Sequence, residues 1–600
     1  MLCLRPAPFP PIHLRTVPTV LSFLLKLRTR IRDRFRLSDA HTMLLWSVVV
    51  GLAGAFATVL FRKGIALVEY LFSGEAGSLV EMAHHLPWQT RIWLPMAGGF
   101  IAGCLLLVAK RKTTGSDARP MHTDYVEAVA IGDGVMPVGK SIWRSVSSLF
   151  TIASGGSIGR EGPMVQLAAL AASLVGRWVR FDPQRLRLLV ACGAAAGITS
   201  AYSAPIAGAF FVTEIVIGSI EMESFGPIIV SSVIANITMR EFAGYKPPYE
   251  MPAFPAITGI EVIIFVVLGL LCGALAPQFL RLLDFTKSCF GRLKIPLPLK
   301  LALGGLLVGL ISVWNPDVWG NGYSVVNSIL HSPWTWTALA TVLVLKVLAT
   351  AATVGSGAVG GVFTPTLFMG AVLGSLFGQG VHALLPYGTS APYAYAMVGM
   401  GAFLTGATQA PLMAILMIFE MTLSYQAVLP LMLSCVVAYF VARATGKASM
   451  YEITLHRNRE VQERMRLRAT QMRELIRPAD TVVSADATVA DMARVFLEYP
   501  VKYLYVTNAQ GHFIGAVALA DITSDLLQKR DTSVKCAADY VRMPFEALTP
   551  DMSLAAGLQH FLAFRGERLP VIESAQRPTL AGVVYKTSLL DAYQRLNPER

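Results

Sequence analysis

Two full charges, Arg160 and Glu161, stand side by side in the stretch SGGSIGREGP, Ser154 to Pro163, between glycines and inside a region apolar enough for a bilayer. An unpartnered charge at bilayer depth costs at least ~2.5 kcal/mol, so such residues are kept there for a task. The task this spacing suits is anion handling. The first N–H groups of a helix have no intrahelical acceptor, and the aligned peptide dipoles place about +0.5 charge there. Glycines ahead of the helix let the chain turn and let an ion approach the backbone. Pro163 suits a first helical turn, where a missing N–H leaves nothing unsatisfied. A carboxylate at such a place is itself an anion. Glu161 would fill the site when no mobile anion is there and leave it on protonation or displacement, serving as gate, as proton acceptor, or as both. Arg160 reads as structural, neutralising local charge or binding carbonyls; the plainer alternative is a mutual Arg160–Glu161 salt bridge with no part in traffic. A path made of backbone dipoles also releases its ion more readily than a ring of fixed lysines.

The pattern occurs twice. SGAVGGVFTP, Ser356 to Pro365, repeats the serine, glycine and proline placement, so both repeats could aim a helix N-terminus at one spot. Downstream of each comes a second matched pair, GAAAGITSAYSAPIAGAFFVTE (Gly193 to Glu214) and GMGAFLTGATQAPLMAILMIFE (Gly399 to Glu420). Duplicated apolar segments broken by Gly and Pro at corresponding positions point to a transporter-type site where the broken helices meet near the midplane. Irregular backbone at that depth survives only where it lines a cavity or is buried in protein. Close helix packing through small residues is the bland alternative. Glu214 and Glu420 fall at equivalent helix ends and read as capping or packing acids; Lys346, alone in a span, reads as a partner for one of them or as a snorkelling residue.

The elements that must hold these residues follow from composition. The 600-residue chain is 54% hydrophobic with 15% charged residues, and its mean hydropathy is +0.54. That reads as a polytopic membrane protein. Windows such as Met43 to Phe61, Ile92 to Ala109, Val262 to Pro277 and Tyr425 to Ala442 approach the length needed to cross about 30 Å of hydrocarbon. Met164 to Val175, Pro205 to Ile215 and Pro411 to Phe419 are shorter and read as half-helices. The net charge of +13 gathers at the edges of the apolar block, in arginines between Arg28 and Arg36 and between Arg457 and Arg477, which argues against nucleic acid. By the positive-inside bias both termini face the cytoplasm and the number of crossings is even. The organisation expected is a basic cytoplasmic segment (1–41), a transmembrane domain (42–452), a charged linker (453–477), and two soluble α/β repeats (478–531 and 535–596). The repeats are carried by VVSADATVADMARVFLEY at Val482 and ALTPDMSLAAGLQHFLAF at Ala547. Each alone buries too little, so they should pack as a pair.

At these residues the chain resembles the CLC family of chloride channels and chloride/proton antiporters, over about Met43 to Tyr451. The resemblance rests on GREGP (Gly159 to Pro163), GVFTP (Gly361 to Pro365), the SAP and QAP half-helix starts, TDYVEA (Thr123 to Ala128), WGNGYS (Trp319 to Ser324) and a tyrosine after the last span. The tail resembles a pair of CBS domains. The resemblance implies an all-α polytopic membrane protein with inverted-topology repeats, the CLC fold, plus a C-terminal α/β CBS pair. It implies a homodimer with one pore per subunit in a bacterial plasma membrane, carrying chloride or similar anions. By motif, Glu161 is the gating glutamate, Gly159 and Arg160 belong to the anion site, the amides of Val362 and Phe363 line its centre, and Tyr451 supplies a hydroxyl.

Two departures matter. Where the family usually carries GSGIP, whose serine contacts the central anion, this chain reads GSDARPMHTDYVEA, with Pro120 opposite the serine. Where the antiporters carry a second acid after the SAP helix, this chain has Ile215 after Glu214, and isoleucine relays no proton. Passive conduction gated by Glu161 is therefore expected over chloride/proton exchange. In the CBS pair, Asp521 is the one ribose-binding acid retained, so adenine nucleotide is a possible ligand and a purely structural brace the alternative. An enzyme is not expected: none of the ten histidines falls in HExxH. A CBS-linked divalent-cation transporter would need acids along the spans, and the apolar block has few beyond Glu161, Glu214 and Glu420. Seven scattered cysteines indicate neither zinc nor a disulfide framework, and no resident cofactor is expected.

Overall fold

The structure is a computed structural model. It describes residues 39–74, 78–113, 124–130, 132–219, 222–244, 249, 252–255, 259–385, 388–445, 449–451, 471–527, 535–564, 566–574 and 576–596. The arginines of 28–36 and 457–468, the altered stretch at 115–123 and most of the expected linker lie outside the described residues. The chain divides into two compact units, residues 1–454 and 455–600.

The first unit is helical. The helices, in order, are α1 (Asp39–Ser73), α2 (Leu79–His85), α3 (Trp88–Thr113), α4 (Tyr125–Ala130), α5 (Val138–Ala153), α6 (Glu161–Val179), α7 (Pro183–Tyr202), α8 (Pro205–Phe211), α9 (Met222–Ala243) and α10 (Gly259–Arg292). After them come α11 (Leu297–Trp314), α12 (Tyr323–His331), α13 (Trp336–Gly355), α14 (Phe363–Leu384), α15 (Pro392–Thr408), α16 (Pro411–Thr422) and α17 (Val428–Thr445). Eight of the described helices are long and apolar enough to cross a membrane.

The duplication read in the sequence is present in the backbone. Gly155 and Gly357, which follow α5 and α13, both sit at φ +95°; L side chains avoid that region. Ser203 and Gln409 end α7 and α15 in the left-handed conformation at φ +56° and +58°. Ala204 and Ala410, next in line, share φ/ψ of −121°/83° and −123°/80°. The equivalent helices α3 and α11 pack on each other, and the contact requires glycine: a β-carbon on Gly103 would meet the Pro298 backbone, and one on Gly305 the Pro95 carbonyl.

The two short helices after SAP and QAP are as brief as expected. α8 has 7 residues before it widens into a π-helical turn, Val212–Ile217, and α16 has 12. The segment Met164–Val175 differs. It lies within α6, whose 19 residues span roughly 28 Å at 1.5 Å per residue. Gly162 and Pro163 occupy its first turn, where they do no harm, and the Ala/Leu run that follows contains no breaker.

The second unit holds two similar α/β repeats. The first has β1 (Val482–Ser484), α18 (Val489–Glu498), β2 (Tyr503–Thr507), β3 (Phe513–Ala518) and α19 (Leu519–Leu527). Strand β1 pairs parallel to β2, and β2 pairs antiparallel to β3. The second has α20 (Leu554–Ala563), β4 (Arg568–Ile572), β5 (Leu580–Tyr585) and α21 (Lys586–Leu596), with β4 antiparallel to β5 and Leu548 bridging parallel to Val571 in the place of β1. Residues 471–477, assigned above to the linker, pack with this second repeat: Met472 is buried in its core with Leu548 and Phe561, and Arg477 bridges to Val583.

Candidate functional site

Gly159 and Gly361 exchange both backbone hydrogen bonds, N···O 2.7 and 2.9 Å, as an isolated antiparallel bridge. The bridge ties the start of α6 to the start of α14, so the two N-termini that the repeated motifs predicted do converge. Glu161 opens α6, and Phe363 opens α14 with Val362 as its N-cap. Val362 and Phe363 have no carbonyl one turn back to receive their N–H groups.

Glu161 is 2% exposed. Its Oε1 accepts a hydrogen bond from the Tyr323 hydroxyl at 3.0 Å and another from the Thr364 hydroxyl. Its Oε2 is buried and meets no donor among the described residues; it occupies the space that a β-carbon on Gly159 would take. The carboxylate is therefore tucked against the glycine bridge, at the mouths of both helices. No guanidinium among the described residues pairs with it, so the Arg160–Glu161 salt bridge weighed above is absent there. Arg160 instead lies 4.9 Å from the centroid of the Tyr323 ring, within electrostatic reach of Glu69.

An aromatic run leads from this point. The Phe363 ring packs on Tyr202 at 5.3 Å and on Phe211 at 6.5 Å, and Phe211 meets Tyr451 edge-on at 5.8 Å. The Tyr202 hydroxyl pairs with that of Thr364 at 3.0 Å. The Tyr451 hydroxyl lies close to that of Tyr125, on α4. Tyr125 in turn donates its amide to Gln166 at 3.2 Å. A cavity of about 480 Å³ reaches Gly162 and Gly360 and is lined by Lys110, Lys140, Arg144, Asp124 and Tyr125. Among the described residues three cations face one acid there, and that balance favours anions.

The acids at 214 and 420 are caps across the pseudo-symmetry. Glu214 accepts from the amides of Leu412 and Met413, at the start of α16. Glu420 accepts from Ile206 and Ala207, at the start of α8. Lys346 pairs with neither and does not snorkel. It is wholly buried, donates to the carbonyls of Val318, Trp319 and Gly320, and covers the Phe368 ring. A lysine with three donors satisfies a turn whose carbonyls have no helix to join.

In the second unit, Asp521 lies in the first turn of α19 and is held by Arg542, whose Nε and Nη2 donate at 2.7 and 2.5 Å. Donating to the Asp521 carboxylate raises the pKa of that guanidinium above its ordinary value.

Sequence reasoning placed Gly159, Glu161, Val362 and Phe363 together and set Tyr451 near them. Tyr125, Tyr202, Tyr323 and Thr364 fall inside the same motifs, whose spacing gives them no task. Their hydroxyls were the available signal, since a buried carboxylate needs donors.

Inverted helical repeats whose loosened N-termini meet around a buried carboxylate define a polytopic membrane transporter architecture. A family profile described as voltage gated chloride channel matches residues 98–443, and a CBS domain profile matches 472–528. A ClcB-like chloride channel protein of Ralstonia nicotianae is 54% identical over 70% of this chain and 97% of its own length. The voltage-gated ClC-type chloride channel ClcB of Escherichia coli is 40% identical over 68% of this chain and 97% of its own. The crystal structure of a slow cyanobacterial Cl⁻/H⁺ antiporter is 25% identical, with a TM-score of 0.60, covering 70% of this chain and 98% of that one. The chain belongs to the CLC family, whose members are chloride channels and transporters rather than enzymes, and it carries a C-terminal CBS region.

Proposed function

We propose that this chain conducts chloride or a similar inorganic anion passively through one pore per subunit, with Glu161 as the gate. The observation that carries the reading is the buried Glu161 carboxylate lying against the Gly159–Gly361 bridge, between the N-termini of α6 and α14. An anion there would be held by the amides of Val362 and Phe363, with the Tyr451 hydroxyl beyond the Phe211 ring, and would be reached through the cavity bearing Lys110, Lys140 and Arg144. Conduction without protons is favoured by Ile215, buried and apolar after Glu214, and by the engagement of Glu214 as a helix cap. The protein works in a bacterial inner membrane as a homodimer with both termini in the cytoplasm. The CBS pair is a brace, because Arg542 holds the one carboxylate a ribose would use.

Chloride/proton exchange is the second reading, favoured by the likeness to the cyanobacterial Cl⁻/H⁺ antiporter. Purified protein in chloride-loaded liposomes separates the two. Efflux that requires valinomycin and leaves external pH unchanged supports conduction; uphill proton movement driven by a chloride gradient overturns it. Glu161→Ala should raise efflux and reduce its dependence on pH, and an unchanged profile removes the gate from Glu161.

A further inference from the structure

The turn WGNGYS serves a purpose that the motif alone does not disclose. Lys346 ties down the carbonyls of Val318 and Gly320, both at 2.8 Å, and Gly320 donates its amide to the Gly155 carbonyl at 3.3 Å, in the glycine stretch that precedes the gate. Asn321 accepts the amide of Tyr323 at 3.2 Å. The Tyr323 ring is fixed on two sides, edge-on to Tyr249 at 4.9 Å and beneath the Arg160 guanidinium. What this framework delivers is one hydroxyl, 3.0 Å from Glu161 Oε1. Thr364, one residue into α14, delivers a second to the same oxygen. The other oxygen has no donor among the described residues.

We propose that Tyr323 and Thr364 form a latch for the gate, holding the Glu161 carboxylate in the anion position. They are positioning residues that set how strongly the tethered carboxylate competes with a mobile anion. The argument is one of differential contact: a hydrogen bond made only in the closed arrangement shifts the equilibrium toward it by that bond's free energy. The cationic guanidinium over the ring polarises the phenol and makes its hydroxyl a better donor to a carboxylate. The inference rests on the reading of Glu161 as a tethered competitor.

The test is a double-mutant cycle on the full chain, reading chloride binding by isothermal titration in detergent and half-saturation of efflux in liposomes. Tyr323→Phe keeps the ring, its Arg160 and Tyr249 contacts, and loses only the hydroxyl. The chloride concentration for half-saturation should fall about tenfold, the change expected when one hydrogen bond to an ionised group is lost. Thr364→Val should act in the same direction and stands in if the first variant fails to fold. In a Glu161→Ala background both changes should leave chloride affinity within about twofold. If Glu161→Ala tightens chloride binding while Tyr323→Phe and Thr364→Val do not, the latch is wrong and the gate stands. An effect of Tyr323→Phe that persists in the Glu161→Ala background also overturns the latch. If Glu161→Ala itself changes nothing, the gate fails first.

Discussion

Gly159 and Gly361 face each other across the two halves of the membrane unit and share a reciprocal pair of backbone hydrogen bonds. The pairing ties the segment that leads into α6 to the segment that leads into α14, and Glu161 Oε2 rests in the room that Gly159 leaves by having no side chain. Gly159→Ala should therefore push the carboxylate out of its place. Its chloride half-saturation should fall as it does for Glu161→Ala, and adding Glu161→Ala to it should bring no further change. Wild-type chloride dependence in a folded Gly159→Ala protein would contradict the geometry.

How much of this was legible in the sequence differs by residue, and for physical reasons. Repetition at fixed spacing announced the convergence, because Ser154/Ser356 and Pro163/Pro365 recur at matching places and backbone conformation follows such punctuation. The half-helices after SAP and QAP were legible for the same reason, whereas the length of α6 was misjudged because glycine and proline in a first turn do not stop a helix. The latch was not legible. Tyr323 lies 162 positions from Glu161, and no local periodicity links a turn on one element to a carboxylate on another. Lys346 was misassigned for a related reason: its partners are carbonyls of the turn at 318–320, which carry no side-chain signature.

Lys346 gives a prediction about stability. Lys346→Met keeps most of the volume and removes the donor from the carbonyls of Val318 and Gly320. Each buried carbonyl left without a partner costs about 1–3 kcal/mol. The thermal midpoint in detergent should fall clearly, and chloride half-saturation should drop in the surviving folded fraction, because the turn no longer presents Tyr323. An unchanged midpoint would show that water or another group serves those carbonyls.

Glu214 and Glu420 predict matched effects. Each accepts two amides at the start of the opposite repeat's short helix, so each sits where an anion is favoured by the helix dipole. Glu214→Gln and Glu420→Gln should each lower stability by about 1–2 kcal/mol, since an amide keeps one acceptor and loses the charge. Unfolding of both variants, followed by circular dichroism in the same detergent, should show losses of similar size. A large loss of coupled proton movement confined to Glu214→Gln would instead mark that acid as a proton site and favour exchange.

The second unit supplies the last test. A carboxylate can hold ribose hydroxyls only if its oxygens are available, and both oxygens of Asp521 are engaged by the Arg542 fork. Bidentate guanidinium–carboxylate pairs are geometrically specific, so a nucleotide would have to break two hydrogen bonds before gaining any. Titration of the wild-type chain with millimolar ATP should give no saturable heat and no rise in unfolding temperature. Arg542→Ala should lower stability by no more than about 1 kcal/mol, because the pair is partly exposed to solvent. Saturable nucleotide binding by the wild-type chain, lost in Asp521→Ala, would show that Arg542 yields to a ligand and that the pair is a sensor rather than a brace.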